Sequence, residues 1–249
     1  MSDGLPVLWQ YSFSNYNEKA RWALDFKGIR HRRRSLLPGG PKAMAFSRGD
    51  GTLPVLDLDG RRIADSTEIV EALEARQPDP PLYPAEPEQR QRALELEAFF
   101  TDEIGHDVRR VIFWELRDNR PLMAEILGTD QGRAGRAQIR AMVPVAWQYV
   151  VRRYGFDQES YERSCSAVID ALDRIEAERQ GGPFLVGESF SVADLTAAAL
   201  LYPIAQPPEF QYDLPDPPAS GYLDSTRDHP GRAWIAEIWR RHRGQNTAA

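Results

Sequence analysis

One short run of the chain, from Thr52 to Leu73, restricts the possible folds more than any other segment. It opens on Leu53-Pro54, and a proline, which has no N–H to donate, is tolerated at the first residue of a strand or in a turn. Asp59-Gly60 follows an apolar segment and favours a two-residue hairpin, because both central residues of that turn need positive φ. The run therefore predicts two short antiparallel strands joined by a tight turn.

The end of the same run predicts a capped helix. Asp65 stands before it and Glu68 follows three residues later, which is the spacing of a capping box ahead of apolar residues at helical intervals. The N–H groups around Ser66 then lie at a helix N-terminus, which favours a bound anion. If the bond between Leu53 and Pro54 is cis, the Leu53 backbone is turned outward and free to pair with another extended chain.

Composition indicates an ordinary globular protein. The 249 residues are 42% hydrophobic and 27% charged, and the net charge of −6 argues against nucleic acid as a partner. No apolar run reaches membrane-spanning length and the N-terminus has no signal-peptide pattern, so we expect no membrane association. Cys165 is the only cysteine, which excludes an internal disulfide and favours a cytoplasmic location.

The chain is predicted to form two domains of different character. Its first third reads β-α-β-α-β-β-α, with strands over Val7–Tyr11 and Ile29–Leu37, a helix starting near Asn15 and ending at Gly28, and a short helix between 38 and 51. Prolines then cluster between 77 and 87, which indicates a stiff linker. We therefore expect an α/β domain over residues 1–84 and an all-α domain over residues 88–249.

One helix of the second domain has a well-marked start. Ser191 and Asp194 have the spacing of a capping box, and Phe190 and Leu195 fit the hydrophobic staple that accompanies it. The residues that follow are nearly all apolar, which predicts a helix buried on every side.

These motifs resemble those of the glutathione transferase family, whose members have a thioredoxin-like N-terminal domain and an all-α C-terminal domain. In that family a cis Val-Pro or Leu-Pro, here Leu53-Pro54, pairs with the backbone of the cysteine of glutathione. A Glu-Ser or Asp-Ser pair, here Asp65-Ser66, holds the γ-glutamyl group. The glycyl carboxylate usually needs a cation or amide from the loop before the cis-proline, where Lys42 and Arg48 are available. The resemblance thus implies glutathione as co-substrate.

A second motif implies the group that activates the thiol. Residues 11–21 read Tyr-Ser-Phe-Ser-Asn-Tyr-Asn-Glu-Lys-Ala-Arg and resemble the signature Cys/Ser-Pro-Tyr/Phe-Cys-x-Lys-x-Arg, with Ser14 at its first position. Serine-type members carry their catalytic hydroxyl there. Tyr11 and Asn15 stay open as alternatives, since other members use a tyrosine at the end of this strand or an asparagine amide. Asn17 replaces the second cysteine, so we expect no thiol–disulfide exchange through a protein thiol.

A hydroxyl at this position would have a defined task. A free thiol has a pKa of roughly 8.5, so only a few per cent of it is thiolate near neutrality. Lowering that pKa by about two units requires roughly 2.7 kcal/mol of differential stabilisation. A hydroxyl that donates a hydrogen bond to sulfur beside a helix N-terminus could provide much of that energy.

The resemblance implies an enzyme that activates the glutathione thiol for attack on a small apolar electrophile, as in detoxification. Phe113 and Trp114 are the expected lining of the electrophile pocket, and a homodimer is the expected assembly. Two alternatives stay open: a non-catalytic member that binds a ligand or a protein, and an enzyme that uses another low-molecular-weight thiol. We expect no metal, because Glu103-x-x-His106 lacks the second copy that a bundle metal site needs.

Two further features favour structural interpretations. The basic run Arg30–Arg34, which includes His31, alternates along a predicted strand of an otherwise acidic chain, and this favours a solvated face over a nucleic-acid site. Cys165 falls on an apolar helical stripe and is predicted to be a buried, inert thiol.

Overall fold

The structure of the chain, a computed structural model, describes residues 4–47, 51–215 and 221–249. Its N-terminal part alternates strands and helices in the predicted order. These elements are β1 (Val7–Gln10), α1 (Asn15–Phe26), β2 (Arg32–Ser35), α2 (Pro41–Phe46), β3 (Val55–Leu58), β4 (Arg61–Ala64) and α3 (Ser66–Arg76).

The strands form one mixed sheet in the order β2-β1-β3-β4. β1 runs parallel to β2 and antiparallel to β3, and β3 is antiparallel to β4. Because successive side chains point to opposite faces, Leu8 packs with α1 and α3, whereas Trp9 packs with α2. The predicted hairpin is confirmed, since Asp59 and Gly60 both have positive φ, 48° and 80°.

The second strand is shorter than the predicted span of Ile29–Leu37, and β1 ends one residue early. The Ile29 N–H donates to the Leu24 carbonyl at 3.0 Å, which closes the C-terminus of α1 instead of extending a strand. His31 pairs with Ala248 of the C-terminal tail. The short helix predicted between 38 and 51 is α2.

Residues 77–86 connect this α/β part to a helical part. Its elements are α4 (Pro87–Ala98), a π-helical turn (Phe99–Ile104), α5 (Gly105–Glu115), α6 (Arg120–Leu127), α7 (Arg133–Tyr154), α8 (Gln158–Arg179), α9 (Val192–Leu200), α10 (Tyr202–Ala205), α11 (Gly221–Ser225) and α12 (Pro230–His242). Of the helices in the described ranges, none has both the length and the apolar character needed to span a bilayer.

The centre of the fold is α9. Every one of its residues is buried, as predicted, and it packs on α1, α4 and α12. One continuous apolar core therefore joins the α/β part to the helical part. This packing holds the helical domain against α1, and the candidate catalytic residues Ser14 and Asn15 lie at the N-terminus of that helix.

The helices α6 and α7 form a hairpin with a small core of its own. Its buried members are Leu116, Met123, Ala124, Ile139 and Val143. Leu37, which follows β2, packs against this core, and the Ser35 hydroxyl donates to Asp130 in the hairpin. The hairpin therefore contacts the N-terminal domain at the end of β2.

The basic run is a solvated face only in part. Arg30, Arg32 and Arg34 are exposed as predicted. His31 is fully buried, however, and Arg33 pairs with Asp25 at 2.8 Å. The prediction is wrong for these two residues because distant segments of the chain cover them. The C-terminal tail lies beside His31, and Arg33 donates a hydrogen bond to Gln211 at 2.5 Å.

Asp25 of α1 is the centre of a buried charge network. Its Oδ2 accepts hydrogen bonds from Arg33 at 2.8 Å and Arg243 at 2.9 Å, and its Oδ1 accepts from the N–H and hydroxyl of Thr247, both at 2.8 Å. Arg243 also pairs with Glu18 at 2.5 Å. Burial opposes ionisation of Asp25, but the two guanidinium groups outweigh it and hold the pKa of the carboxyl below its usual range. The network fastens α12 and the tail to α1.

The cap of α9 is also buried and confirms the predicted capping box. Asp194 accepts three hydrogen bonds at 2.8 Å, from the Leu185 N–H and from the N–H and hydroxyl of Ser191. Burial outweighs these donors and raises the pKa of Asp194 to about 6.

That shift predicts a pH dependence of stability. An unfolded aspartate has a pKa near 3.9, so between about pH 4 and pH 6 the folded protein holds a proton that the unfolded chain has lost. The contribution of Asp194 to stability is thus fully present below about pH 4 and falls by about 3 kcal/mol as the pH rises through 6. Urea unfolding of wild type and Asp194→Asn at several pH values measures it. A stability difference between the two proteins that does not change with pH would contradict the shift.

Candidate active site

The candidate site begins at the loop before β3. The Leu53–Pro54 peptide bond is cis, as the motif implies. Leu53 is buried, and its carbonyl accepts a hydrogen bond from Asn17 Nδ2 at 3.0 Å. Asn17 thereby joins the first turn of α1 to the cis-proline loop.

The N-terminus of α3 lies on the next element of the same domain. Asp65 is its N-cap and accepts from the N–H groups of Thr67 at 2.8 Å and Glu68 at 3.2 Å. Asp65 has φ 131°, a strained conformation for a residue with a side chain, and such strain is found preferentially at ligand sites. Ser66 Oγ is buried and has no hydrogen-bond partner in the described part of the chain. An unsatisfied buried hydroxyl at a helix N-terminus fits a polar, anionic ligand.

Ser14 stands at the N-terminus of α1. The N-cap of this helix is Ser14, and the helix begins at Asn15 as predicted. The half-buried Ser14 hydroxyl accepts from the Asn17 N–H at 3.5 Å, and within the described residues it donates to no other group. Its proton is therefore available to a ligand atom next to the positive end of the helix dipole.

The side chains of the two alternative residues, Tyr11 and Asn15, donate hydrogen bonds to backbone carbonyls. The Tyr11 hydroxyl donates to the Gly51 carbonyl at 2.8 Å. Asn15 Nδ2 donates to two carbonyls of the helical domain, Gly105 at 3.3 Å and Leu200 at 3.1 Å. These contacts favour Ser14 over both residues as the donor to a thiol.

Lys19 is a residue of the site that sequence reasoning passed over. Its buried ammonium group lies 2.9 Å from Glu97, 2.8 Å from the Thr67 hydroxyl and 3.0 Å from the Thr101 hydroxyl. It therefore ties α1 to the N-terminus of α3 and to the helical domain. The lysine of the signature was the available signal. Arg21, the arginine of the signature, forms a buried ion pair with Glu18 at 2.6 Å.

The remaining candidate residues lie apart from this centre. Lys42 is on the exposed side of α2, and no hydrogen bond or ion pair between described residues joins it to the site. Arg48 lies outside the described residues. Phe113 packs on the α6–α7 core, whereas Trp114 stacks on Tyr161 of α8 with ring centroids 5.7 Å apart. The two aromatic side chains therefore face different neighbours.

Gly105 of the helical domain packs closely against Tyr16 of α1. A Cβ on Gly105 would lie 2.5 Å from the Tyr16 hydroxyl, so only glycine fits this contact. The Tyr16 hydroxyl donates to the Thr101 carbonyl at 2.7 Å. The π-helical turn ends at Ile104, directly before Gly105.

The described residues contain no cluster suited to a metal ion and no reactive protein thiol. Over residues 4–47, 51–215 and 221–249, no group of three or more His, Cys, Asp or Glu side chains could hold a metal ion. Cys165 is half-buried, somewhat less than predicted, and burial raises the pKa of its thiol to about 11. That thiol is protonated near neutrality and a poor nucleophile.

Comparison with known proteins agrees with this geometry. The family model of the glutathione S-transferase N-terminal domain matches residues 8–81, and that of the C-terminal domain matches residues 158–225, so the two cover more than half of the chain. The maleylacetoacetate isomerase of Dictyostelium discoideum is 26% identical over 208 residues, which are 81% of this chain and 80% of that protein.

Solved structures show the same fold. A glutathione S-transferase from Methylobacillus flagellatus KT, crystallised with GSH bound, has a TM-score of 0.67 at 21% identity, with 98% of both chains covered. The β-etherase LigF from Sphingobium sp. strain SYK-6 has a TM-score of 0.65 at 19% identity, with 95% of both chains covered. With its mixed sheet, its cis-proline and its all-helical second domain, the chain belongs to the glutathione S-transferase family.

Proposed function

We propose that this protein binds glutathione and activates its thiol for attack on a small apolar electrophile. The observation that carries the proposal is the link between Ser14 and the cis-proline loop. Asn17 donates its backbone N–H to the Ser14 hydroxyl and its side-chain amide to the Leu53 carbonyl, which brings a free O–H close to a peptide-binding edge.

Glutathione fits the polar groups around this edge. The backbone of Leu53, beside Pro54, pairs with the cysteinyl residue, and Asp65-Ser66 at the N-terminus of α3 holds the γ-glutamyl group. The unpartnered Ser66 hydroxyl and the helix dipole favour the γ-glutamyl carboxylate, and Asp65 favours its ammonium group. Lys42 is the proposed partner of the glycyl carboxylate.

Activation of the thiol follows from the position of Ser14. Its hydroxyl donates to the sulfur, and the N-terminus of α1 adds a favourable potential for the thiolate. The thiolate then forms a bond to the electrophilic carbon, and the leaving group departs with the bonding electron pair. The proposed place of the electrophile is beside Phe113, which with Leu37 packs against the apolar core of the α6–α7 hairpin. Trp114 is the less favoured of the two aromatic candidates, since its ring packs on Tyr161.

The resemblance to an isomerase widens the range of reactions. A thiolate that adds to an activated double bond and later leaves again would isomerise the substrate, with glutathione regenerated. The 26% identity to maleylacetoacetate isomerase supports a glutathione-dependent reaction without selecting between isomerisation and transfer. A homodimer and a cytoplasmic location stay predictions of the family resemblance.

A thiol-comparison assay tests the proposal. The protein is mixed with an activated aryl halide and either glutathione or cysteinylglycine, which lacks the γ-glutamyl group, and the thioether product is followed by absorbance. We expect catalysis with glutathione and a rate at least about tenfold lower with cysteinylglycine, because the contacts to Asp65-Ser66 are lost. Equal rates with both thiols would favour an enzyme of another low-molecular-weight thiol. If the protein binds glutathione but catalyses its reaction with no electrophile, an activated alkene included, the result would favour a non-catalytic member of the family.

A further inference from the structure

The two residues that flank Ser14 are both held by the helical domain. The Phe13 carbonyl accepts a hydrogen bond from the Tyr202 hydroxyl at 2.5 Å. On the other side, Asn15 Nδ2 donates to the carbonyls of Gly105 and Leu200. The N-terminal domain carries Ser14, whereas the helical domain contacts the backbone of the residue before it and the side chain of the residue after it.

The surroundings of Tyr202 hold its side chain in position to donate to the Phe13 carbonyl. It is the first residue of α10, directly after the buried helix α9, and its side chain is buried. Its ring stacks on Phe210 with centroids 4.3 Å apart and an interplanar angle of 11°. Burial raises the pKa of Tyr202, so its hydroxyl stays protonated and continues to donate.

We propose that Tyr202 is a positioning residue that orients Ser14 through the Phe13 carbonyl. The inference rests on the proposed function, because it assigns Tyr202 a role in the hydrogen bond from Ser14 to the glutathione sulfur. A hydrogen bond to the Phe13 carbonyl fixes the peptide plane between Phe13 and Ser14. That plane sets the φ of Ser14, which is −86°, and with it the direction of the hydroxyl.

The geometry accounts for an asparagine at position 15 as well. Proline stands there in the family signature and restricts the backbone by its ring. Asn15 restricts it by two hydrogen bonds to the helical domain, so the start of α1 is held from both sides. A group that must point at one atom needs such support, since small displacements of a catalytic group lower rates strongly.

The test compares two tyrosine variants, of the buried Tyr202 and of the half-buried Tyr222, by the pKa of bound glutathione. Tyr202→Phe keeps the ring and its stacking and removes only the hydroxyl. Tyr222→Phe is the matched control, because the Tyr222 hydroxyl also donates to a backbone carbonyl of this chain, that of Cys165 at 3.0 Å, at a distance in sequence from the site. The pKa of the bound thiol is read from the ultraviolet absorbance of the thiolate, titrated against pH with saturating glutathione. Thermal unfolding shows that each variant is folded.

We expect Tyr202→Phe to raise the thiol pKa by about half a unit to one unit, which is a three- to tenfold loss of thiolate below the pKa. The Kd of glutathione should change by less than about twofold, since no contact to the peptide is removed. Tyr222→Phe should leave the thiol pKa unchanged. In a Ser14→Ala background, Tyr202→Phe should cause no further shift, because the effect acts through Ser14.

The outcomes separate the inference from the function on which it rests. A lowered thiol pKa in wild type that Tyr202→Phe leaves unchanged would overturn the positioning role alone. A bound thiol with the pKa of free glutathione in wild type would overturn the proposed function and this inference with it. If Tyr202→Phe does not fold, Asn15→Ala removes the other flanking contact. A rise in its thiol pKa that disappears in a Ser14→Ala background would support positioning by the helical domain, and no rise, or a rise that persists without Ser14, would contradict it.

Discussion

Replacing Ser14 by alanine is expected to lower the rate of glutathione transfer about 50-fold near pH 6.5, with little change in glutathione affinity. The hydroxyl is the only group of Ser14 that changes, and it is available to donate to a bound sulfur. Without it, the thiol pKa should return from roughly 6.5 towards the unperturbed value of roughly 8.5, so the thiolate fraction falls from half to about one hundredth.

The pH dependence of kcat separates this effect from general damage. In wild type, kcat should increase as the pH rises through about 6.5. In Ser14→Ala the same increase should come about two pH units higher, and kcat should approach the wild-type value in alkaline solution. Tyr11→Phe is the informative companion, because the Tyr11 hydroxyl donates to the Gly51 carbonyl. A full rate in Ser14→Ala together with a large loss in Tyr11→Phe would reassign the catalytic hydroxyl to Tyr11.

Replacing Asp25 by alanine is expected to lower the free energy of unfolding by about 3 to 5 kcal/mol. The carboxylate is fully buried and accepts hydrogen bonds from Arg33, Arg243 and Thr247. Its removal leaves two buried guanidinium groups short of a counter-charge and releases the C-terminal tail from α1. Urea unfolding at neutral pH measures the loss.

The effect of Asp25 should also depend on pH with a defined sign. The pKa of Asp25 lies below its unfolded value, so its contribution is present above about pH 4 and is lost as the pH falls through the folded pKa. Asp194 has the opposite dependence, because its pKa is raised. Glu237→Ala is the control, since Glu237 pairs with Arg240 and Arg241 at the exposed surface, where ion pairs add little. A loss in Asp25→Ala no larger than in this control would contradict the network's role.

Local signals explain which parts of the fold could be predicted. The hairpin at Asp59-Gly60, the cap of α3 at Asp65 and the capping box at Ser191 each depend on residues within a few positions of one another. Such short-range rules act before tertiary packing, so they can be read directly from the chain. The nearly all-apolar α9 was predictable for the same reason.

Contacts between distant segments explain what could not be predicted. His31 is buried because Ala248 and Thr247, more than two hundred residues later, lie beside it, and Arg33 is half-buried by its contacts with Asp25 and Gln211. The roles of Asn15 and Tyr202 depend on contacts across the two domains, which no local pattern reports. Phe113 and Trp114 are adjacent in sequence, yet one faces the α6–α7 core and the other faces α8.

Calorimetric titration of glutathione into the wild-type protein and into Ser66→Ala measures whether the protein binds this peptide through the N-terminus of α3. We expect saturable binding to wild type with a Kd at or below about 1 mM, and binding about tenfold weaker in Ser66→Ala, because the buried Ser66 hydroxyl has no partner among the described residues and is our proposed contact for the γ-glutamyl group. Absence of binding heat at about 10 mM glutathione, with thermal unfolding of the protein unchanged by the peptide, would contradict the proposed binding of glutathione.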